Sequence, residues 1–228
     1  QRQMCIRDRV LGEYCFPREP VHEEKITFRD LSEYENVDFQ GFRGDIYVKE
    51  AIIPEGASVI PKSQFFECRS LEKVYLPESV SGIEDYAFAD CHVLKVWESI
   101  EKLSLKSVGI SAFENCYALE FVSLPDSLTV IGGAAFAECV SVNKLIFSDT
   151  SLLKKIGDHA FRGCRNLKEV YLPDSVEYVG VSAFRDCSSL EQISVSEKIK
   201  NQPGIAELEK NCPNARIRFR EVNSVEKE

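Results

Sequence analysis

Cysteine is the residue in this 228-residue chain with the most chemistry to offer. Nine are present, and seven form a ladder: Cys68, Cys91, Cys116, Cys139, Cys164, Cys187 and Cys212, separated by 23 or 25 residues. Three kinds of thiol chemistry can be weighed against that spacing. Disulfides between equivalent places on stacked strands would be strained. The strands lie about 4.8 Å apart with parallel side chains, whereas a bridge needs Cβ atoms near 3.8 Å that face one another. Structural zinc favours C-x₂₋₄-C pairs, and 23 or 25 is not that spacing. A nucleophilic or redox thiol must be exposed, low in pKa and close to a base. The simplest role for the ladder is packing, with cysteine as a small hydrophobe in a narrow corner. Cys15 stands outside the ladder and has no assigned role.

Other reactive residues are sparse. The histidines are His22, His92 and His159; the last two occupy variable, solvent-facing positions of a repeat. No G-x-S-x-G, H-E-x-x-H, P-loop or G-x-G-x-x-G string occurs, and Gly132-Gly133 reads as a turn between units. Carboxylates are scattered along turns, and nothing pairs two of them. No catalytic residue, metal site or cofactor is expected.

Composition narrows the function further. With 44% hydrophobic and 29% charged residues the chain is globular in character. Its net charge of −9 argues against sequence-independent nucleic-acid binding, which depends on Lys and Arg contacting phosphates. No apolar run approaches the roughly 18 residues of a membrane helix.

A repeat positions these residues. A-F-x-x-C occurs as AFADC (87–91), AFENC (112–116), AFAEC (135–139), AFRGC (160–164) and AFRDC (183–187), with a degenerate QFFEC at 64–68. An aliphatic follows three residues after each cysteine: Leu71, Leu94, Leu119, Val142, Leu167, Leu190. Alternating KVYLP, FVSLP and EVYLP then read as short strands ended by Pro77, Pro125 and Pro173. Another aliphatic sits five residues before the next phenylalanine: Ile83, Val108, Ile131, Ile156, Val179. A worn copy begins at Phe42, with Asp45 in place of cysteine, so seven units start at Phe42, Phe65, Phe88, Phe113, Phe136, Phe161 and Phe184. The unit from Phe136 gains its two extra residues after KLIF, in SDTSLL. The unit from Phe88 lacks L-P, and the register of Trp97 is open by one residue.

The F-x-x-C-x-x-L-x-x-V-x-L-P-x-S strings at 65–79, 113–127 and 161–175 resemble the BspA-like branch of the leucine-rich-repeat superfamily, over roughly 42–200. That resemblance implies a right-handed solenoid with one short parallel strand per turn and irregular or short helical convex turns. A single unit cannot bury its own apolar face, but stacked units can. Seven of them make a core about 30 Å long, with the phenylalanines as an internal stack. Family members are often surface or secreted proteins, some of them adhesins, and the resemblance implies such a location here.

The expected organisation is 42–204 solenoid, 205–219 C-terminal cap and 220–228 charged tail, preceded by 10–41 as a flank or cap. Residues 1–9 are set aside. Met4-Cys5-Ile6-Arg7-Asp8-Arg9 back-translates to ATG TGT ATA AGA GAC AGn, which resembles a transposon end used to tag DNA fragments for sequencing.

Strand alternation marks a binding face. Outward pairs are Glu50/Ile52, Lys73/Tyr75, Val96/Glu98, Phe121/Ser123, Lys144/Ile146, Glu169/Tyr171 and Gln192/Ser194. Tyr75, Phe121, Ile146 and Tyr171 form an apolar stripe edged by Lys73, Lys144 and Glu169. Such clusters mark interaction sites, although β-propensity alone also places aromatics in strands. Glu114, Asn115, Arg162 and Arg165 read as ordinary solvated convex surface. The expected function is non-enzymatic binding of a protein or peptide, with an inert spacer or an intracellular scaffold as alternatives.

Overall fold

The computed structural model describes residues 25–27, 42–98, 103–148 and 150–221; for 25–27 and 96–98 only the backbone is described. The first nine residues, Cys15 and His22 lie outside that range.

The chain coils into a parallel β-solenoid of about seven turns with little helix. In chain order the strands are β1 (Lys25–Thr27), β2 (Glu50–Ile52), β3 (Val59–Ile60), β4 (Lys73–Tyr75), β5 (Gly82–Ile83), β6 (Val96–Glu98) and β7 (Ser107–Val108). They continue as β8 (Phe121–Ser123), β9 (Val130–Ile131), β10 (Lys144–Ile146), β11 (Lys155–Ile156), β12 (Glu169–Tyr171), β13 (Tyr178–Val179) and β14 (Gln192–Ser196). Two single-turn helices, α1 (Pro203–Ala206) and α2 (Leu208–Asn211), precede β15 (Arg216–Arg220).

The implied single strand per turn proves incomplete. Six turns, from β2/β3 to β12/β13, each carry a longer strand and a two-residue one. The short strands build a continuous parallel sheet in the order β13-β11-β9-β7-β5-β3. Ile60, Ile83, Val108, Ile131, Ile156 and Val179 lie buried in this second ladder. The reason is backbone satisfaction: a turn buried between two others must pass its N–H and C=O groups to its neighbours on more than one side. The longer strands form two sheets, β1-β2-β4-β6 and β15-β14-β12-β10-β8. The division falls between β6 and β8, at the unit that departs from the sequence pattern. Register there is defined: Trp97 stands opposite Val74, so Val96 and Glu98 take the positions of Lys73 and Tyr75.

The phenylalanines stack along the axis, as their spacing requires. From Phe42 to Phe184, successive ring centroids are 5.9, 5.2, 5.1, 5.2, 5.4 and 5.5 Å apart, with rings nearly parallel. That is offset stacking, which contributes about 0.5–1.5 kcal/mol per pair beyond area burial. A third inter-turn ladder runs behind the rings. Phe65, Phe88, Phe113, Phe136 and Phe161 each donate their N–H to the alanine carbonyl of the next turn, at 2.7–2.8 Å.

This corner needs unusual backbone. The residue two places after each phenylalanine has positive φ: Gly44, Glu67, Asp90, Asn115, Glu138, Gly163 and Asp186. Only two of the seven are glycine; in the left-handed region a glutamate costs about 1–2 kcal/mol, and Asp90, Asn115 and Asp186 cost less. Nearby, adjacent turns come so close that a side chain has no room. A Cβ on Gly157 would lie 2.5 Å from the Gly133 nitrogen, and one on Gly132 would lie 2.5 Å from the Gly109 carbonyl carbon.

Past β14 the inter-turn pattern changes. Gly204 of α1 sits against Gly180, beside β13. The Glu207 carboxylate accepts from the Ser182 N–H at 3.1 Å, where other turns offer a carbonyl.

Candidate protein-binding face

Each of the seven ladder cysteines is buried, and each makes the same contact. Cys68 Sγ donates to the Phe42 carbonyl at 3.0 Å, and Cys91, Cys116, Cys139, Cys164, Cys187 and Cys212 repeat this toward Phe65, Phe88, Phe113, Phe136, Phe161 and Phe184. The packing role is therefore joined by a directional one, linking every turn to the one before it. In the worn unit, Asp45 turns to its own chain and accepts from the N–H groups of Tyr47 and Val48. Burial pushes the thiols up. Cys68 is raised to about 12, by burial first and the nearby Asp45 charge second. Cys91, Cys116 and Cys164 are raised well above the ordinary value, also chiefly by burial. All seven are free thiols, and burial opposes their ionisation.

His92 stacks on Tyr117 with centroids 4.7 Å apart, its Nε2 3.6 Å from Asp90. His159 is half-buried rather than simply solvent-facing, and it is left-handed, as are Ser63, Tyr86, Ser111, Ala134 and Ser182 at the same place two residues before a phenylalanine. On the convex side Glu138 holds Arg162 at 3.1 Å and Arg165 at 3.7 Å.

Register along the longer strands aligns the residues on either side of the central position in two rows. Glu50, Lys73 and Val96 share register positions in one row, as do Phe121, Lys144, Glu169, Gln192 and Arg216 beyond the break. The second row holds Ile52, Tyr75 and Glu98, then Ser123, Ile146, Tyr171, Ser194 and Arg218. Val74, Val122, Leu145, Val170 and Ile193 between them are buried. Phe121 (38% exposed), Ile146 (37%) and Tyr171 (55%) are open to solvent, while Tyr75 is half-buried.

Two features depart from a simple stripe. Phe121 lies in register with Lys144, diagonal to Ile146, so the apolar residues follow a zigzag. Lys73 and Tyr75 belong to one sheet, with β6 between them and the cluster Phe121, Lys144, Ile146, Glu169 and Tyr171. Lys73 lies 3.9 Å from Glu50. Ser194, expected on the open face, is only 5% exposed because β15 lies alongside with Arg218 in register.

β15 also brings in a residue that sequence reasoning missed. The Arg220 guanidinium carbon lies 3.8 Å from the Tyr171 ring centroid, and the group pairs with Asp174 at 3.0 Å. It also donates to the Leu172 carbonyl. The alternating string R-I-R-F-R was the available signal, but nothing in it named Tyr171 as the contact.

The model of the BspA type leucine rich repeat region matches residues 9–139 and 106–206, in six copies. The chain belongs to that family. Among solved structures, the chain is similar to a leucine-rich repeat protein from Bacteroides ovatus, at 20% identity over 91% of this chain and 71% of that one, with a TM-score of 0.58. The leucine rich repeat protein of T. pallidum matches at 23% identity over 88% and 78%, TM-score 0.48. A leucine rich cell surface protein from Faecalibacterium prausnitzii matches at 22% over 80% and 62%, TM-score 0.46. No curated protein matches the chain. The B. ovatus likeness supports the family's solenoid fold, and the family's repeats account for the rows on which the outer residues stand.

Proposed function

We propose that this chain is a non-enzymatic protein-binding module that holds a protein or peptide on the face of its longer strands. Tyr75, Phe121, Ile146 and Tyr171 would serve as apolar anchors, with Lys73, Lys144 and Glu169 as the charged rim. The observation that carries the reading is exposure of large apolar residues on a sheet whose intervening positions are fully buried. Phe121 and Ile146 leave a large apolar surface open to solvent, Tyr171 does so beside the Arg220 guanidinium, and interfaces draw their energy from such anchors. The family resemblance supports a surface or secreted setting and an adhesin-like role.

The test is selection from a displayed peptide library, followed by affinity measurement on the wild type and on Tyr75→Ala/Phe121→Ala/Tyr171→Ala. Selected peptides should lose at least about a hundredfold in affinity, which corresponds to about 2.7 kcal/mol. The melting temperature should stay within a few degrees. Peptides that bind the triple variant as well as the wild type would overturn this face as the site and favour an inert spacer.

A further inference from the structure

The far end of the second long-strand sheet has a distinct chemistry. β15 pairs with β14 over five positions, from Gln192↔Arg216 to Ser196↔Arg220. Among the described residues nothing pairs with its other edge. Arg216 donates its N–H back to the Glu191 carbonyl at 2.7 Å. In a parallel ladder alternate residues bond to opposite sides. Arg216, Arg218 and Arg220 therefore bond toward β14, and the N–H and C=O groups of Ile217 and Phe219 face the open edge.

The side chains sort in the same way. Ile217 and Phe219 stand in register with Ile193 and Val195, both buried. Yet Phe219 is 46% exposed, with no further turn over it among the described residues. On the other surface stand three arginines in five residues, in a chain whose net charge is −9. Arg220 is engaged by Asp174 and Tyr171. The guanidinium groups of Arg216 and Arg218 are exposed and have no partner among the described residues.

We propose that the open edge of β15 accepts an extended acidic strand from a partner protein. The incoming strand would bond to the main chain of Ile217 and Phe219. Apolar residues on one of its faces would cover Phe219 and Ile217, and acidic residues on the other would meet Arg216 and Arg218. Charge decides the occupant. A second copy pairing through β15 in antiparallel fashion would set arginine against arginine, an arrangement that opposes edge-to-edge association. A strand of alternating acidic and apolar residues satisfies both rows at once, with main-chain bonds giving affinity and side chains giving selectivity. This site lies on the outer strand of the described sheet, apart from the anchors Tyr75, Phe121 and Ile146.

The experiment uses the full chain and a fluorescein-labelled peptide of alternating glutamate and valine, (Glu-Val)₃, read by anisotropy. The acidic peptide should bind and (Lys-Val)₃ should not. N-methylation of alternate peptide amides, and separately Arg216→Glu/Arg218→Glu, should each weaken binding about tenfold or more. The melting temperature should not move. Amide exchange at Ile217 and Phe219 should be fast in the free chain and slow on peptide addition. Absence of binding, or equal binding of the N-methylated peptide, overturns the proposal. So does slow exchange at those amides in the peptide-free monomer, which would assign the edge to the chain's own tail. Concentration-dependent dimers that vanish in the charge-reversed variant would assign it to a second copy, with the same consequence.

Discussion

Truncating Phe136 tests the stacked core directly. Its side chain is fully buried between Phe113 and Phe161, whose centroids lie 5.2 and 5.4 Å away with rings only 2° from parallel. Removing the ring forfeits about 1.5–3 kcal/mol of transfer free energy. Two ring–ring contacts add about 0.5–1.5 kcal/mol each. The sum agrees with the roughly 3–5 kcal/mol measured for buried Phe→Ala changes in general. Because turns touch only their neighbours, damage at the centre also weakens coupling between the two halves. Phe184 has one stacked ring on its side of the array, Phe161 at 5.5 Å. Phe184→Ala should thus cost about 1 kcal/mol less than Phe136→Ala, and Phe136→Leu, which keeps most of the volume, under about 1.5 kcal/mol. Guanidinium titrations of the three variants supply both the stability and the m-value. The central truncation should lower both, since a split array unfolds in smaller units. A Phe136→Ala protein within 1 kcal/mol of wild type would falsify the stack as the main support of the core.

Three further outcomes follow from inter-turn geometry. Gly157→Ala places a Cβ against backbone and should destabilise by about 1–3 kcal/mol, whereas Gly133→Ala, whose Cβ would meet only the Asp158 carbonyl at 3.4 Å, should be close to neutral in the same thermal melt. Asp186 holds φ +61° at the place where Gly44 and Gly163 stand in other turns, so Asp186→Gly should raise stability by about 1 kcal/mol in denaturant titrations; a loss would refute strain at that corner. Burial raises the folded pKa of the ladder thiols above the ordinary thiol value, that of Cys68 to about 12 and those of Cys91, Cys116 and Cys164 well above it. Their contribution is complete below pH 9 and fades as pH rises toward the folded values, because unfolded thiols ionise first. Melting temperatures should fall steeply above pH 9, less steeply in Cys68→Ala, and the native ladder should resist a thiol reagent at pH 8 that labels it fully in denaturant.

Much of the architecture was legible because a solenoid is nearly one-dimensional. A ring and a thiol returning every 23 or 25 residues can stack only if each turn repeats the last, and strand alternation then separates Val74 from Lys73 and Tyr75. The candidate face could be read to that depth. Which outer residues become neighbours could not, since Phe121 beside Lys144 depends on register between turns. Ser194 was misjudged for the same reason: its burial is caused by Arg218, on a strand past two helical turns.

The amino-acid sequence by itself determined the repeat length, the residues that face inward and the burial of the cysteine ladder. Tertiary structure decided what passes between turns: the second strand ladder, the thiol-to-carbonyl bonds, the close approach at Gly132 and Gly157, and the open edge of β15. Periodicity within one turn is written in residue types. Contacts between turns join atoms 22 to 28 residues apart, many of them backbone groups that every residue carries alike, so only their placement in space distinguishes them.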